Sequence, residues 1–501
     1  MPLSLLRASQ KDLFMTRRYC VFLMACMAPA SVFAAQSASA PSDRAQLMSV
    51  YQEAVTNNSE IKAARAGFEA QQETIPQARA NLLPAITTSA TIESTRLERD
   101  APALTRVRSG TTYQANLRQP LFRADAWYGL KVAQASTSQA AFELSAAEQE
   151  LILKTAETYF ETLRASDTHA AAEAEEIAFK QQMDQAHGRL KGGLASITDV
   201  LDAEAAYDNA QANRELAARK VDDAFEQLVR LTNHDYASIE GIEHQLPVLV
   251  PVPADAKQWV DAAMKQNLKL QASDLAVEAA EQSLSQRKAG HAPTLDAVAS
   301  YRKGDNDSFG YSNPSDFGRD GYQNNVAQSS IGFEVNLPIY SGGRVSSQAR
   351  EAYKKLSQSE EQREGQRREV VLNTRSFYRA VNSDIEQIRA RKKTILSAQS
   401  SLKATKVGAD IGSRNTVDVL NAQRQLFTSV RDYNNARYDY ILNNLRLKQA
   451  AGTLSPSDLQ SLAQYLKADY DPRRDFLPPE MAGANLEQAR PSSIRRGTEG
   501  L

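Results

Sequence analysis

The sequence predicts a mainly α chain with a few β-strands, built as two tandem copies of one unit, whose strands must be pooled with those of other copies to close a membrane barrel. Three observations carry this expectation. A repeat runs through the chain, some stretches are helical over lengths no ordinary globular domain uses, and short segments between them alternate strictly with period two.

The repeat is legible in "ITDVLDA" (Ile197–Ala203) and "TVDVLNA" (Thr416–Ala422), offset by 219 residues, with Gly193 and Gly412 at the same offset. It places Asp199 opposite Asp418 and Asp202 opposite Asn421. Upstream, "NNSEIKAARAGFEAQ" from Asn57 resembles "QNLKLQASDLAVEAA" from Gln266 at an offset of 209, without a gap as far as Pro84 and Pro293. Pro120 then faces Pro338 at an offset of 218, because the second copy carries a longer insertion, Gly304–Gln323. A period this long marks a duplicated domain rather than a solenoid. The predicted organisation is a leader over 1–34, a first repeat over 35–231, a linker over 232–258, a second repeat over 259–466 and a disordered tail over 467–501.

Glycine and proline punctuation sets the helices. Neither residue occurs from Leu130 to His187, a run of 58 residues, and Leu194–Glu240, Gln366–Val407 and Ser413–Ala451 are also free of both. At about 1.5 Å per residue the first run makes a rod of roughly 87 Å. Gly192-Gly193 and Gly408–Gly412 then fall at helix–turn–helix tips. From Val417, apolar residues at Leu420, Phe427, Tyr438, Ile441 and Leu445 form an imperfect heptad seam, interrupted by Arg424, Arg431 and Asn434. An ordinary amphipathic bundle helix fits any one of these stretches equally well; rods of this length, paired through tips, favour coiled-coil hairpins.

Strands lie between the helices. Ile86, Thr88, Ala90 and Ile92 alternate with polar neighbours, as do Tyr113, Ala115 and Leu117, and Ile331, Phe333, Val335 and Leu337. Thr294–Arg302 alternates less cleanly, with Leu295, Ala297, Ala299 and Tyr301 on one face. An apolar and a polar face suit a barrel with lipid outside and water inside, whereas half-buried hairpins on a soluble protein are the plainer alternative. Seven aromatics within Thr294–Tyr340 (Tyr301, Phe309, Tyr311, Phe317, Tyr322, Phe333, Tyr340) suit interfacial girdles. Four strands cannot close a barrel, and open edges are not tolerated in lipid. Two copies supply eight strands, three supply twelve and four supply sixteen, and periodicity does not choose among them.

Composition agrees. The net charge of −1 implies no polyanion or nucleic-acid partner, and aromatics at 7% do not suit a thick globular core. "MTRR" from Met15, the apolar stretch after it and Val32-x-Ala34 read as a secretion signal with its cleavage site, Met1–Phe14 being an upstream extension. Cleavage there removes Cys20 and Cys26, the only cysteines. Leu23-Met24-Ala25-Cys26 offers a rival, lipoprotein-type site that would leave an acylated Cys26. After the leader, no apolar run is long enough for a membrane-spanning helix. The histidines at 169, 187, 234, 244 and 291 are scattered, and no zinc, phosphate or nucleophile-elbow motif occurs, so neither catalysis nor a cofactor is expected. Asp305-x-Asp307 has Phe309 where a calcium ligand is needed.

"LILKTAETYFETL" (Leu151–Leu163), "GGLASITDVLDAEAAYDNA" (Gly192–Ala210), "GHAPTLDAVASY" (Gly290–Tyr301), "LPIYSGGRVSSQ" (Leu337–Gln348) and "GSRNTVDVLNAQRQLF" (Gly412–Phe427) agree in order and spacing with one family. Over about Leu47–Leu466 the chain resembles the TolC family of outer-membrane exit ducts. The resemblance implies a homotrimer: a twelve-stranded barrel in outer-membrane lipid, continuing into a long periplasmic barrel of coiled-coil helices, with Thr232–Gln258 and the C-terminal region as a belt. It implies docking to a periplasmic adaptor and an inner-membrane transporter of ABC, RND or MFS type, for drug efflux or one-step protein secretion. It does not name the cargo. A lipoprotein drug-efflux channel of the same superfamily is the alternative, and a soluble periplasmic coiled-coil scaffold a more distant one. By the same resemblance, Thr198 and Asp199 on the first hairpin and Arg414 and Arg437 on the second hold the periplasmic entrance shut. Asp418 and Asn421 line its constriction, where the family carries two rings of aspartate, and Ala409 replaces a latch tyrosine. Pro120 and Pro338 mark the turns from strand to rod, where proline ends strand pairing and redirects the chain. Without the family, Asp199 and Asp418 read as acids favoured by the first turns of helices.

Overall fold

A computed structural model of the chain describes residues 44–100, 103–193, 195–244, 246–305, 325–476 and 478. Residues 1–43 with Cys20 and Cys26, most of the second-repeat insertion with Phe309, Tyr311, Phe317 and Tyr322, and residues 479–501 lie outside them.

The first repeat begins with a short strand β1 (Arg44–Ala45) and three helices, α1 (Leu47–Asn57), α2 (Ser59–Gln72) and α3 (Thr74–Ala80). A hairpin of β2 (Ala85–Asp100) and β3 (Ala103–Phe122) leads into α4 (Ala124–Lys191), which returns as α5 (Ile197–Thr232). Two short strands come next, β4 (Ser238–Ile239) and β5 (Gly241–Ile242). The second repeat runs α6 (Ala256–Gln266), α7 (Leu268–Lys288), β6 (Thr294–Asp305), β7 (Asn325–Asn336), α8 (Arg344–Asp410) and α9 (Thr416–Ala450). The chain closes with α10 (Pro456–Ala463), β8 (Leu466–Lys467) and α11 (Pro472–Asp475).

The rods are longer than glycine punctuation suggests. Helix α4 has 68 residues and α8 has 67, each about 100 Å at the helical rise. Both run through single glycines, each costing only about 1 kcal/mol in a helix interior. At Gly129 the missing side chain is used, since a Cβ there would stand 2.9 Å from Nε2 of Gln286 on α7.

The four long strands form one antiparallel sheet in the order β2-β3-β6-β7. Registry aligns their apolar faces: Ile86 faces Leu117, Leu117 faces Ala299, and Ala299 faces Ile331. Residues directly opposite one another share a face, so this row is apolar across all four strands, and Ile86, Ile331 and Phe333 are exposed on it. One residue along, Thr87, Asn116, Ser300 and Ser330 form the matching polar row, with the two serine hydroxyls 2.8 Å apart. Within one chain β2 and β7 each have a bare edge.

The helices make a layer one helix thick. Nearest the sheet, α2 and α3 pack on α4, α4 on α7, and α7 on α8. Farther away, α5 packs on α4, α4 on α9, and α9 on α8. The expected α9 seam is buried: Leu420, Phe427, Tyr438, Ile441 and Leu445 all lie inside. Around Tyr159, Phe160 and Leu163 of α4 and Tyr438 and Ile441 of α9 the layer thickens into the main core, joined by Ala45 and Ile239. There β1 pairs with β4 and β5 with β8.

The tail expected to be disordered from Lys467 is ordered as far as Phe476. Tyr470 and Phe476 are buried, and the Tyr470 ring lies so close over Gly241 that no Cβ would fit there. The Tyr470 and Tyr438 hydroxyls both donate to the carboxylate of buried Asp167, the latter over 2.7 Å. Asn434, a polar interruption of the α9 seam, donates to the Phe476 carbonyl over 2.8 Å. His244 is fixed between Arg437, whose Nη1 lies 3.1 Å from Nδ1, and the Asp475 carbonyl, 2.8 Å from Nε2. Arginine can only donate, so Nδ1 accepts, Nε2 carries the proton and the ring is neutral.

Burial, and then Arg437, pushes His244 down to about 4. Burial pushes Asp167 up to about 6, against the two tyrosine hydroxyls. A depressed histidine contributes stability that is complete above its ordinary range and is lost as pH falls toward 4; a raised carboxyl acts oppositely, its contribution being lost as pH rises through about 6. Replacing His244 by Gln removes only the first. Between pH 7 and 4.5 the wild type is therefore expected to lose more thermal stability than His244→Gln. Equal losses in parallel melting curves would contradict the assignment.

Candidate functional site

Two places concentrate polar side chains at positions that matter for a duct: the paired helix tips and the corners where strands become rods. At the tips each turn uses a glycine of positive φ, Gly193 at 72° and Gly412 at 76°. The repeated phrase then caps the returning helix. Ser196 accepts from the Asp199 amide while the Asp199 carboxylate accepts from the Ser196 amide at 3.0 Å. Asn415 and Asp418 do the same, the side chain accepting at 2.8 Å. Each pair satisfies orphan amides at the start of the returning helix and sets an acid at its positive end. The plainer reading of Asp199 and Asp418 thus holds within one chain.

The expected gate residues do not all meet. Arg414, two residues before α9, is exposed, and its guanidinium lies 3.8 Å from Asp418 in the first turn of that helix. Thr198 turns to the Ser196 hydroxyl and Asp199 to its backbone. Asn421 accepts from Arg424 at 3.4 Å. Arg437 is a correction: it lies 23 residues beyond Arg414, about 35 Å along the helix. There it is buried beneath the linker, donating to the Glu243 carbonyl and to His244 with its guanidinium over the Tyr433 ring. It ties α9 to the linker and is remote from the tip.

Another pair joins the two hairpins near the tips. Arg189, in the last turn of α4, donates to Asp410 at the end of α8 over 3.3 Å. Two residues earlier on α4, His187 meets Glu204 of α5 at 3.0 Å. Below the tips Phe179, Ala186, Val200, Ala203 and Leu420 form a small apolar plug, and Arg424 lies over the Phe179 ring with Glu175 3.8 Å away. The Arg189–Asp410 pair is a contact of the fold, and no local motif in the sequence points to it.

The corners are held by charge. Pro120 ends the regular pairing of β3 with β6, whose register shifts between Pro120 and Phe122. Arg123 is the residue before α4 and clamps the buried Asp296 of β6 with two hydrogen bonds of 3.0 and 2.6 Å. Arg118 of β3 bridges the same Asp296 at 2.7 Å and Glu334 of β7 at 2.8 Å. One carboxylate thus fixes the rod to two strands. Pro338 lies two residues beyond β7, and Gly342 and Gly343, at φ 60° and 78°, turn the chain into α8. In the sequence Asp296 reads only as one residue of the second face of Thr294–Arg302, with Val298 and Ser300.

Removing one partner from a buried ionic cluster costs more than removing an exposed pair, because it strands the remaining charge. Asp296→Asn is therefore expected to lower the melting temperature of the purified protein clearly, and Arg189→Ser hardly at all. Ser196→Ala and Asn415→Ala should each weaken a tip by about 1 kcal/mol. Hydrogen exchange checks this, with faster exchange confined to the first turns of α5 and α9.

The model of the outer membrane efflux protein family matches the chain twice, over residues 50–234 and 259–453, once in each half. The outer membrane protein TolC of Escherichia coli K12 is 33% identical over 440 residues, covering 88% of each chain. The alkaline protease secretion protein AprF of Pseudomonas aeruginosa is 28% identical over 363 residues, covering 72% of this chain and 73% of that one. Among solved structures, CusC superposes with a TM-score of 0.71 at 16% identity, over 81% of this chain and 92% of the other, which speaks for the fold. The twofold match and the TolC identity show that the chain belongs to the outer membrane efflux protein family.

Proposed function

We propose that three copies of the chain build one duct through which efflux pumps and one-step secretion systems discharge across the outer membrane. One observation carries the reading: a four-stranded sheet with one apolar face and two bare edges. No such sheet is stable alone in lipid, since each unpaired backbone group there costs several kcal/mol. Three copies pool twelve strands, with the apolar row toward lipid and the polar row toward water. The helical layers continue that ring into the periplasm, where α4 and α8 give it a reach of about 100 Å. The likeness to TolC and to a protease secretion protein supports discharge of both small compounds and proteins. A periplasmic adaptor and an inner-membrane transporter of the ABC, RND or MFS class complete the path.

The tips form the entrance in this reading. Arg189–Asp410 joins first and second hairpin within a copy, while Arg414, Thr198 and Asp199 face the meeting of copies, and Asp418 with Asn421 lines the passage. Each exposed link is worth about 0.2–1 kcal/mol. Threefold repetition multiplies it to a size that can bias a closed-to-open equilibrium of a few kcal/mol.

In cell fractionation the protein is expected in the outer membrane as an oligomer that survives mild detergent and dissociates on heating. Recovery of the leaderless chain as a soluble periplasmic monomer would overturn the proposal. In planar bilayers Arg414→Ser and Arg189→Ser should each raise single-channel conductance. Asp418→Ala should instead reduce cation selectivity, since a ring of carboxylates draws cations. Wild-type conductance in intact Arg414→Ser and Arg189→Ser oligomers would remove both links from the gate.

A further inference from the structure

The packing order gives the chain two different edges. One edge carries β2, then α2 and α3, then α5; the other carries β7 and α8 along its whole length. A ring built from such a layer must set α5 of one copy against α8 of the next, in head-to-tail contact. The two helices run in opposite directions, so residue numbers rise along one as they fall along the other.

In-chain links level the two edges against each other. His187–Glu204 and Glu176–Arg214 tie α5 to α4, Glu175–Arg424 and Asp167–Tyr438 tie α4 to α9, and Asp432–Arg391 ties α9 to α8. Traced across the layer, they put Leu201 level with Ile411, Asp208 with Lys403, Leu216 with Leu396 and Asp223 with Arg389. On each helix these residues are seven or eight apart, which is one stripe of a helix face.

All eight are exposed in the single chain, including the apolar ones: Leu201 at 55%, Leu216 at 49%, Leu396 at 47% and Ile411 at 75%. Exposed leucines at heptad spacing on a charged rod leave apolar area without cover. Charge is complementary as well as apolar position. The α5 stripe offers Asp208 and Asp223 where α8 offers Lys403 and Arg389. Arg389 is engaged only with Glu386 one turn away on its own helix, at 2.7 Å. Like-charged levels on the same face, Arg219 with Lys393 and Glu226 with Glu386, have partners within the chain: Asp223 lies 3.9 Å from Arg219 and Arg389 lies 2.7 Å from Glu386.

We propose that the seam between neighbouring copies is this antiparallel α5–α8 pairing, with alternating levels of apolar contact (Leu201 with Ile411, Leu216 with Leu396) and opposite charge (Asp208 with Lys403, Asp223 with Arg389). The occupant of each exposed edge is the opposite edge of a second copy of this chain. The inference rests on the duct reading and adds its register. Like charges brought opposite one another at such a seam oppose association, so the pairs also select head-to-tail order.

Paired cysteines test the register, since the chain's only cysteines are Cys20 and Cys26 in the leader. Asp208→Cys with Lys403→Cys, oxidised in membranes, is expected to give covalent dimers and trimers on non-reducing denaturing gels. Asp208→Cys with Leu396→Cys, one heptad out of level and so about 10 Å apart along the rod, is expected to stay mostly monomeric. Separately, Asp208→Lys and Lys403→Asp should each lower the temperature at which the oligomer dissociates, and the double exchange should restore it. An oligomer that crosslinks equally from both cysteine pairs, or in which the double exchange is as weak as the singles combined, overturns the register and leaves the duct reading standing. Absence of any oligomer from the wild type overturns the duct reading itself.

Discussion

A strand at the edge of a sheet carries a row of backbone donors and acceptors that need partners, and lipid supplies none. This chain has two such edges, along β2 and β7. The rest of the structure depends on that constraint. The apolar row Ile86–Leu117–Ala299–Ile331 commits the sheet to lipid on one face, so the edges cannot be left to water. They must meet across copies, and whatever continues from the strands must meet in the same cyclic order. The helical layer inherits its two unlike edges from the sheet.

Between sheet and rods the corners transmit that order. Asp296 gathers Arg118 and Arg123, so that the start of α4 is fixed to β3 and β6 together. Proline at 120 breaks the register of β3 on β6, and the paired glycines at 342 and 343 free the other corner to bend. Farther along, the linker and the C-terminal segment lock α4 to α9. Arg437, His244, Asp167, Tyr438 and Tyr470 link α4, α9, the linker and the C-terminal segment in one buried polar cluster. The tips beyond it are held by weaker means: capping boxes, exposed ion pairs and a small apolar plug. The buried cluster near the tips is the smaller one, so local opening is expected to cost least there.

What the sequence shows and what it withholds divides along local and non-local lines. Period-two alternation marks strands and faces, and the registry aligns them. Tips are legible from Gly193 and Gly412, and acids at Asp199 and Asp418 from helix-start chemistry. Helices α4 and α8 exceed the lengths that punctuation predicts because Gly129 and Gly188 in α4 and Gly365 and Gly408 in α8 read as stops, although a rod packed on its neighbours absorbs a single glycine. Lys467–Phe476 reads as tail because its few apolar residues, Tyr470 and Phe476, find cover only on α9 and beside Gly241, far away in the chain. Family position assigns Arg437 to the entrance; its place 21 residues into α9 sets it against the linker instead. Arg189 and Asp296 carry no local signal at all, since their partners come from the other repeat.

The central claim is that β2 and β7 are not edges in the working protein. Residue-resolved hydrogen exchange on the detergent-solubilised assembly tests it most directly. Amides of Ala85–Asp100 and Asn325–Asn336 are predicted to be protected as strongly as their counterparts in β3 and β6. Rapid exchange along both outer strands in an intact assembly, with β3 and β6 protected, would contradict the claim.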